Sequence, residues 1–119
     1  MQDKTADIQH EDIQGVRVIE LCTRIDIHNV FAVEETLTQL IDEGHTKVII
    51  DFSRIEYFGS NGIRLLMLAK RKLDHLGGRL VLSSMSSFVV KILKAIDLYE
   101  LFTILPDRAS ALEELQTNR

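Results

Sequence analysis

At 119 residues the chain is long enough for one domain and too short for two. Hydrophobic residues make up 45% of it and charged residues 27%, a balance that excludes a disordered chain. A net charge of −4 argues against a nucleic-acid binder, which needs a basic face, and no run nears the ~18 apolar residues of a membrane span.

The opening stretch MQDKTADIQHED has no apolar h-region, so no signal peptide is read there. Ala6 to Asp12 is a polar strand candidate, which Gln14-Gly15 would turn into a clearer strand over Val16–Cys22. Cys22 is the only cysteine, so no internal disulfide can form. In its apolar run it reads as a small buried hydrophobe, and a reducing, soluble, cytoplasmic setting is the simplest expectation.

Val30, Val33, Leu37, Leu40 and Ile41 recur at helical spacing and mark one face, with Gly44 closing the helix. Lys47 to Phe52 reads as a central strand with apolar residues on both faces. A second helix is predicted from Ser60-Asn61-Gly62 to Leu76, stopped by Gly77-Gly78, and Arg79–Ser83 is a further strand. Ser86-Ser87 caps a helix carrying Phe88, Val89, Ile92, Leu93 and Ile96. Leu101–Leu105 is the last strand, and Asp107 caps a final helix ending near Gln116.

The order is β-β-α-β-α-β-α-β-α: an α/β domain with a mixed sheet of about five strands and about four helices. The first strand is polar enough to lie at an edge, and helices on one face alone would satisfy the pattern.

Little in the chain resembles a reaction centre. There is no GxxxxGK phosphate loop, no GxGxxG fingerprint and no G-x-S-x-G elbow; Ser60 stands in F-G-S-N-G. His10, His28, His45 and His75 are scattered and there is no HExxH, so neither a metal nor another cofactor is expected. Asp26 reads as a turn or cap residue, and Asp51 and Glu56 as solvated charges at strand ends. No nucleophile–base pair is visible, so the chain is not read as an enzyme.

Several segments do carry a pattern. They are Thr23-Arg24-Ile25-Asp26, Val48-Ile49-Ile50-Asp51-Phe52-Ser53 and Tyr57-Phe58-Gly59-Ser60-Asn61-Gly62-Ile63, with Gly77-Gly78-Arg79-Leu80-Val81-Leu82 and Ile92-Leu93-Lys94-Ala95-Ile96-Asp97-Leu98 behind them. In order and spacing they resemble the STAS family, whose pattern reads G-x-[LI]-D, then a strand ending D-[LF]-S, then D-S-[SA]-G-[LI] opening a helix. The resemblance spans about residues 14 to 115 of a single domain taken as 1–119. It implies an anti-sigma factor antagonist, a protein-binding module of a partner-switching pathway. Such a module binds a GHKL-type serine kinase that doubles as anti-sigma factor. The kinase silences it by phosphorylating a serine at the start of the second helix.

The match departs from the pattern at that site. Aligned on Gly62, the family's acceptor serine falls on Asn61, its neighbouring serine on Ser60, and its aspartate on Gly59. Thr23 replaces the usual glycine, whereas Asp26 matches the family's loop aspartate. One reading makes Ser60 or Asn61 simply the helix N-cap, with Gly62 easing the turn. Another makes Asn61 a permanently neutral docking residue, and a variant makes Ser60 the acceptor.

A helical wheel supplies a clue independent of the family. Gly62, Leu65, Leu66, Ala69, Leu73 and Leu76 share one face, while Ile63 and Met67 fall on the other beside Arg64, Lys70, Arg71 and Asp74. Phe31 also lies off the buried stripe of its helix. The expected partner face is therefore Phe31, Ile63 and Met67, ringed by Asp26, His28, Asn29, Gly59, Ser60, Asn61 and Arg64. An edge strand and an apolar patch permit a homodimer. The rival readings are a STAS scaffold or cytosolic subunit of a larger complex (a stress-sensing assembly or a lipid-transport ABC system), and a small nucleotide-binding protein using Asp26 and the Ser60 helix start.

Overall fold

Gln14 and Gly15 both adopt left-handed backbone conformations, φ 51° and 86°, the pairing that a two-residue hairpin turn requires. They join β1 (Gln9–Ile13) to β2 (Val16–Glu20) in antiparallel register, Ile13 opposite Val16. The computed structural model describes residues 8–117, so the first residues of the polar strand expected from Ala6 lie outside the described residues.

Beyond the hairpin every addition to the main sheet is parallel. β4 (Lys47–Asp51) lies beside β2, β6 (Arg79–Ser83) beside β4, and β7 (Thr103–Leu105) beside β6. The order β1-β2-β4-β6-β7 leaves β1 at an edge, as its polarity predicts. Parallel neighbours need crossovers. α1 (Val30–Asp42), α2 (Ser60–His75) and α3 (Ser87–Ala95) supply them, and α4 (Arg108–Thr117) ends the described chain.

Strand side chains alternate between faces, and the core divides accordingly. Ile19, Val48, Ile50 and Leu82 join Val33 and Leu37 of α1 and Leu65, Leu66 and Leu73 of α2 in the larger apolar cluster. Val16, Val18, Ile49 and Val81 point the other way, against Ala111 and Leu115 of α4. Helices therefore cover both faces, which corrects the one-face expectation. The apolar stripe of α4 is narrow, buried Ala111 and Leu115 with half-buried Leu112 beside them, but burying a leucine is worth about 1.5–3 kcal/mol, enough to seat the helix.

The buried residues of α1 are the five that its spacing predicts. On α2 the stripe holds through Leu73, but Leu76, beyond the last helical turn, is 46% exposed. Ser86 caps α3, its Oγ accepting from Val89 N at 3.2 Å. Only Val89 and Leu93 of that helix are buried; Phe88 and Ile96 face solvent. The strand expected from Leu101 starts two residues later, because Tyr99–Leu101 form a 3-10 turn.

Asp51 needs a larger correction. It is 2% exposed, and its carboxylate receives Arg108 Nε at 3.0 Å, Arg108 Nη2 at 2.9 Å and Ser53 N at 2.8 Å. The central strand thus ends in a paired buried charge, not in a solvated one.

Candidate functional site

The loops leaving β2 and β4 meet in a second, two-stranded parallel sheet that hydrophobic periodicity did not reveal. β3 (Arg24–Ile25) pairs with β5 (Tyr57–Phe58), Arg24 opposite Tyr57 and Ile25 opposite Phe58. Thr23 O anchors the contact by accepting from Glu56 N at 2.7 Å and Tyr57 N at 3.1 Å. The Arg24 guanidinium stacks 4.6 Å from the Tyr57 ring centroid, a cation–π pair on the outer side. This small sheet sets the segment before α1 alongside the tip of α2.

The segment before α1 is braced from within. Asp26 Oδ1 accepts from His28 N at 2.9 Å, and Arg24 Nε donates to Asp26 Oδ2 at 3.2 Å. Asn29 Oδ1 accepts from Asp26 N at 3.0 Å, while its Nδ2 donates to Arg24 O at 2.7 Å. Asp26 O receives Val30 N at 2.9 Å, starting α1. Burial raises the Asp26 carboxyl, but the His28 N–H, the Arg24 hydrogen bond and the Arg24 and His28 charges together hold it below its ordinary value. Asp26 is thus the turn residue its sequence context implies. Cys22 lies buried beneath, its Sγ donating to Arg24 O at 3.1 Å.

At the other side of the tip, the N-cap of α2 is Gly59, in an extended conformation and with no side-chain cap bond. Gly59 O accepts from Gly62 N at 2.9 Å and Ile63 N at 3.2 Å. Ser60 and Asn61 are the first two helical residues, so neither is the cap that one reading made of them. Ser60 is exposed and Asn61 half-buried. Gly62 does not ease a turn. It gives room to Phe58, because a Cβ there would come within 2.5–2.7 Å of three ring atoms. Phe58 is buried edge-on against Phe52, ring centroids 5.3 Å apart, which fixes its position under the tip.

The expected partner face divides. Phe31 is 65% exposed at the first turn of α1, close in sequence to exposed His28 and half-buried Asn29. Arg64 crosses to α1, its Nη1 3.0 Å from Glu34 Oε1. Ile63 and Met67, expected as an exposed pair, are half-buried and pack against the main core. Met67 borders a shallow groove with Lys70, Arg71 and Leu101, about two to three helical turns beyond the tip. Two apolar contributors were missed: Ile27, 60% exposed, and Tyr57, 45% exposed. Ile27 stands between polar loop residues, outside any periodic segment, where an apolar side chain has no core to enter. That mismatch was its only sequence signal.

The region therefore exposes Ile27 and Phe31 at the start of α1, Tyr57 on β5, and Ser60 at the start of α2 with half-buried Asn61 after it. Among the described residues no group of three or more His, Cys, Asp or Glu side chains is placed to hold a metal ion, and no helix is long and apolar enough to cross a membrane.

Comparison with known proteins agrees with this geometry. The STAS domain family model matches residues 7–111. A Bordetella bronchiseptica protein named as an anti-sigma factor antagonist, BtrV, is 24% identical over 107 residues, covering 90% of this chain and 92% of its own. The anti-sigma-F factor antagonist RsfB of Mycobacterium tuberculosis is 31% identical over 62 residues, 52% of this chain and 51% of its own. Among solved structures, a Thermotoga maritima protein described as an anti-sigma factor antagonist superposes with a TM-score of 0.86 at 17% identity, over 94% of this chain and 97% of its own.

Proposed function

The chain belongs to the STAS domain family, and we propose that it acts as a cytoplasmic anti-sigma factor antagonist, a binding module without catalysis of its own. Its partner is an anti-sigma factor of the GHKL ATPase and serine-kinase type, and the tip of α2 with the segment before α1 is the docking surface. The observation that carries this reading is the tip itself. Exposed Ile27 and Phe31 stand at the start of α1, exposed Tyr57 stands just before the uncharged Ser60 and Asn61 that open α2, and a dedicated two-stranded sheet holds the two segments side by side.

The switch chemistry follows from residue types. A phosphate adds about −1.5 to −2 charges and would replace an uncharged surface with a strongly hydrated one. The α2 N-terminus tolerates that charge, so the fold persists while docking is lost. Asn61 has no hydroxyl to phosphorylate. Exposed Ser60 is the serine at the start of α2, and silencing by a serine kinase would act there.

Titration calorimetry against a GHKL-type anti-sigma factor tests the reading. A one-to-one complex is expected, weakened at least about tenfold by Phe31→Asp, which replaces an exposed apolar anchor with a charge. No heat with any such ATPase domain would refute it. Incubation with the kinase and ATP, followed by intact-mass measurement of wild type and Ser60→Ala, tests the switch. Asn61 also favours a second reading, a permanently unphosphorylated subunit of a larger assembly, which size-exclusion chromatography would show as a high-mass species.

A further inference from the structure

At the end of β2 away from the tip, a buried arginine draws together residues that looked scattered in the sequence. Arg17 is 5% exposed on the α1 face of the sheet. Its Nη1 lies 3.1 Å from His10 Nδ1 on β1; its Nη2 lies 3.1 Å from His45 Nδ1 in the α1–β4 loop and 3.1 Å from Glu43 Oε1 at the end of α1. Its Nε sits 2.6 Å from Asp12 Oδ1, an ion-pair contact without hydrogen-bond alignment, and His45 Nε2 lies 3.2 Å from Asp12 Oδ2. These are the titratable and charged groups facing Arg17 from β1, the end of α1 and the following loop, among the described residues.

A guanidinium only donates. His10 Nδ1 must therefore carry a lone pair to accept from it. His45 is consistent as the tautomer that donates Nε2–H to Asp12 and accepts from Arg17 with Nδ1. Protonation turns each accepting nitrogen into a donor aimed at another donor, and adds positive charge beside a buried one. At His45 the neighbouring Asp12 offsets part of that conflict; among the described residues His10 has no such carboxylate contact. Acid is therefore what sets up the conflict.

What the cluster holds is the edge strand. Residues 9–12 of β1 are exposed; apart from the flanking Ile8, Ile13 at the hairpin and an Arg108–Glu11 ion pair on the other face, the strand is fastened to the sheet by its backbone ladder and Arg17. Such a segment sits at the low end of local stability. We propose that the Arg17 cluster is a pH-sensitive latch: near neutrality the two imidazoles clamp β1 to β2, and mild acid opens it and bares the edge of β2. A bare edge is a ready template for pairing with another strand. The latch lies apart from the α2 tip and does not depend on the docking reading.

Amide hydrogen exchange, corrected for intrinsic rates, tests this at pH 7.5 and pH 5.5. Protection of Glu11 and Ile13 should fall about tenfold at the lower pH, the effect of losing one hydrogen bond to a charged group, while Ile50 of β4 holds. His10→Asn with His45→Asn keeps an amide oxygen near each Nδ1 position and removes the titration. That double variant should show the same β1 protection at both pH values. The proposal fails if wild-type β1 loses no more protection than β4, or if the double variant loses as much as wild type.

Discussion

Asp51, at the C-terminal end of the central strand, is clamped by two nitrogens of Arg108, the first residue of the helix on the opposite face from α1 and α2. Removing the guanidinium strips a carboxylate that is 2% exposed of its cation, with the Ser53 amide still donating to it. A fully buried broken pair costs about 3–5 kcal/mol, but the Arg108 side chain is 34% exposed, which lowers the penalty. Arg108→Met is expected to destabilise by about 2 kcal/mol in urea unfolding at pH 7. Adding Asp51→Asn should recover part of that loss, since the stranded charge is then gone.

Gly62 and Phe58 make a second coupled pair. Gly→Ala within a helix gains about 1 kcal/mol of propensity. Here the new methyl would overlap the Phe58 ring, and forcing a packed ring aside costs about 1–3 kcal/mol. Overpacking should win, so Gly62→Ala is expected to be net destabilising by about 1 kcal/mol. In the double variant with Phe58→Leu the two effects should be less than additive, because the smaller side chain vacates the collision. Additive losses would mean that Phe58 is not what Gly62 accommodates.

Elements with strong periodicity were legible in the sequence, and contacts between distant residues were not. The stripe of α1 and the bounds of β6 follow from side-chain spacing alone. β3 and β5 are two residues each, too short to carry a period, and exist because two loops exchange backbone hydrogen bonds. Asp51 looked solvated because its partner lies 57 residues away. The same blindness hid the joining of His10 and His45 at Arg17. At the tip, Asp26 and Asn29 were legible as loop residues, but not that their side chains are spent on bracing the loop.

Two carboxylates give a pH signature. Asp107 Oδ1 caps α4 by accepting from Ser110 N at 2.8 Å, and the backbone and side chain of Ser110 hold its carboxyl below the ordinary value. Asp26 is lowered as well, burial being outweighed by His28 and Arg24. A group whose folded pKa is depressed contributes stability above its unfolded value, about 4, and loses it as pH falls through the folded value. Asp107→Ala and Asp26→Asn should therefore lower the urea midpoint at pH 7. The gap to wild type should narrow steadily below about pH 4. A constant gap across that range would show that the carboxylate charge is not the source.

Substitution by aspartate separates docking from packing on α2 and α1. Met67 touches the main core and is half-buried, so a charge there must either be dehydrated or pull the helix surface apart. Met67→Asp is expected to cost about 1–3 kcal/mol of stability, and any loss of binding it causes is ambiguous. Phe31 is 65% exposed, and a charge at its place stays in water. Phe31→Asp should leave the urea midpoint within about 0.5 kcal/mol of wild type while weakening partner binding. Ile27→Asp should behave like Phe31→Asp, since the Ile27 side chain is 60% exposed in a loop braced by Asp26 and Asn29. If both variants bound the partner as wild type does, the docking face would lie away from the tip.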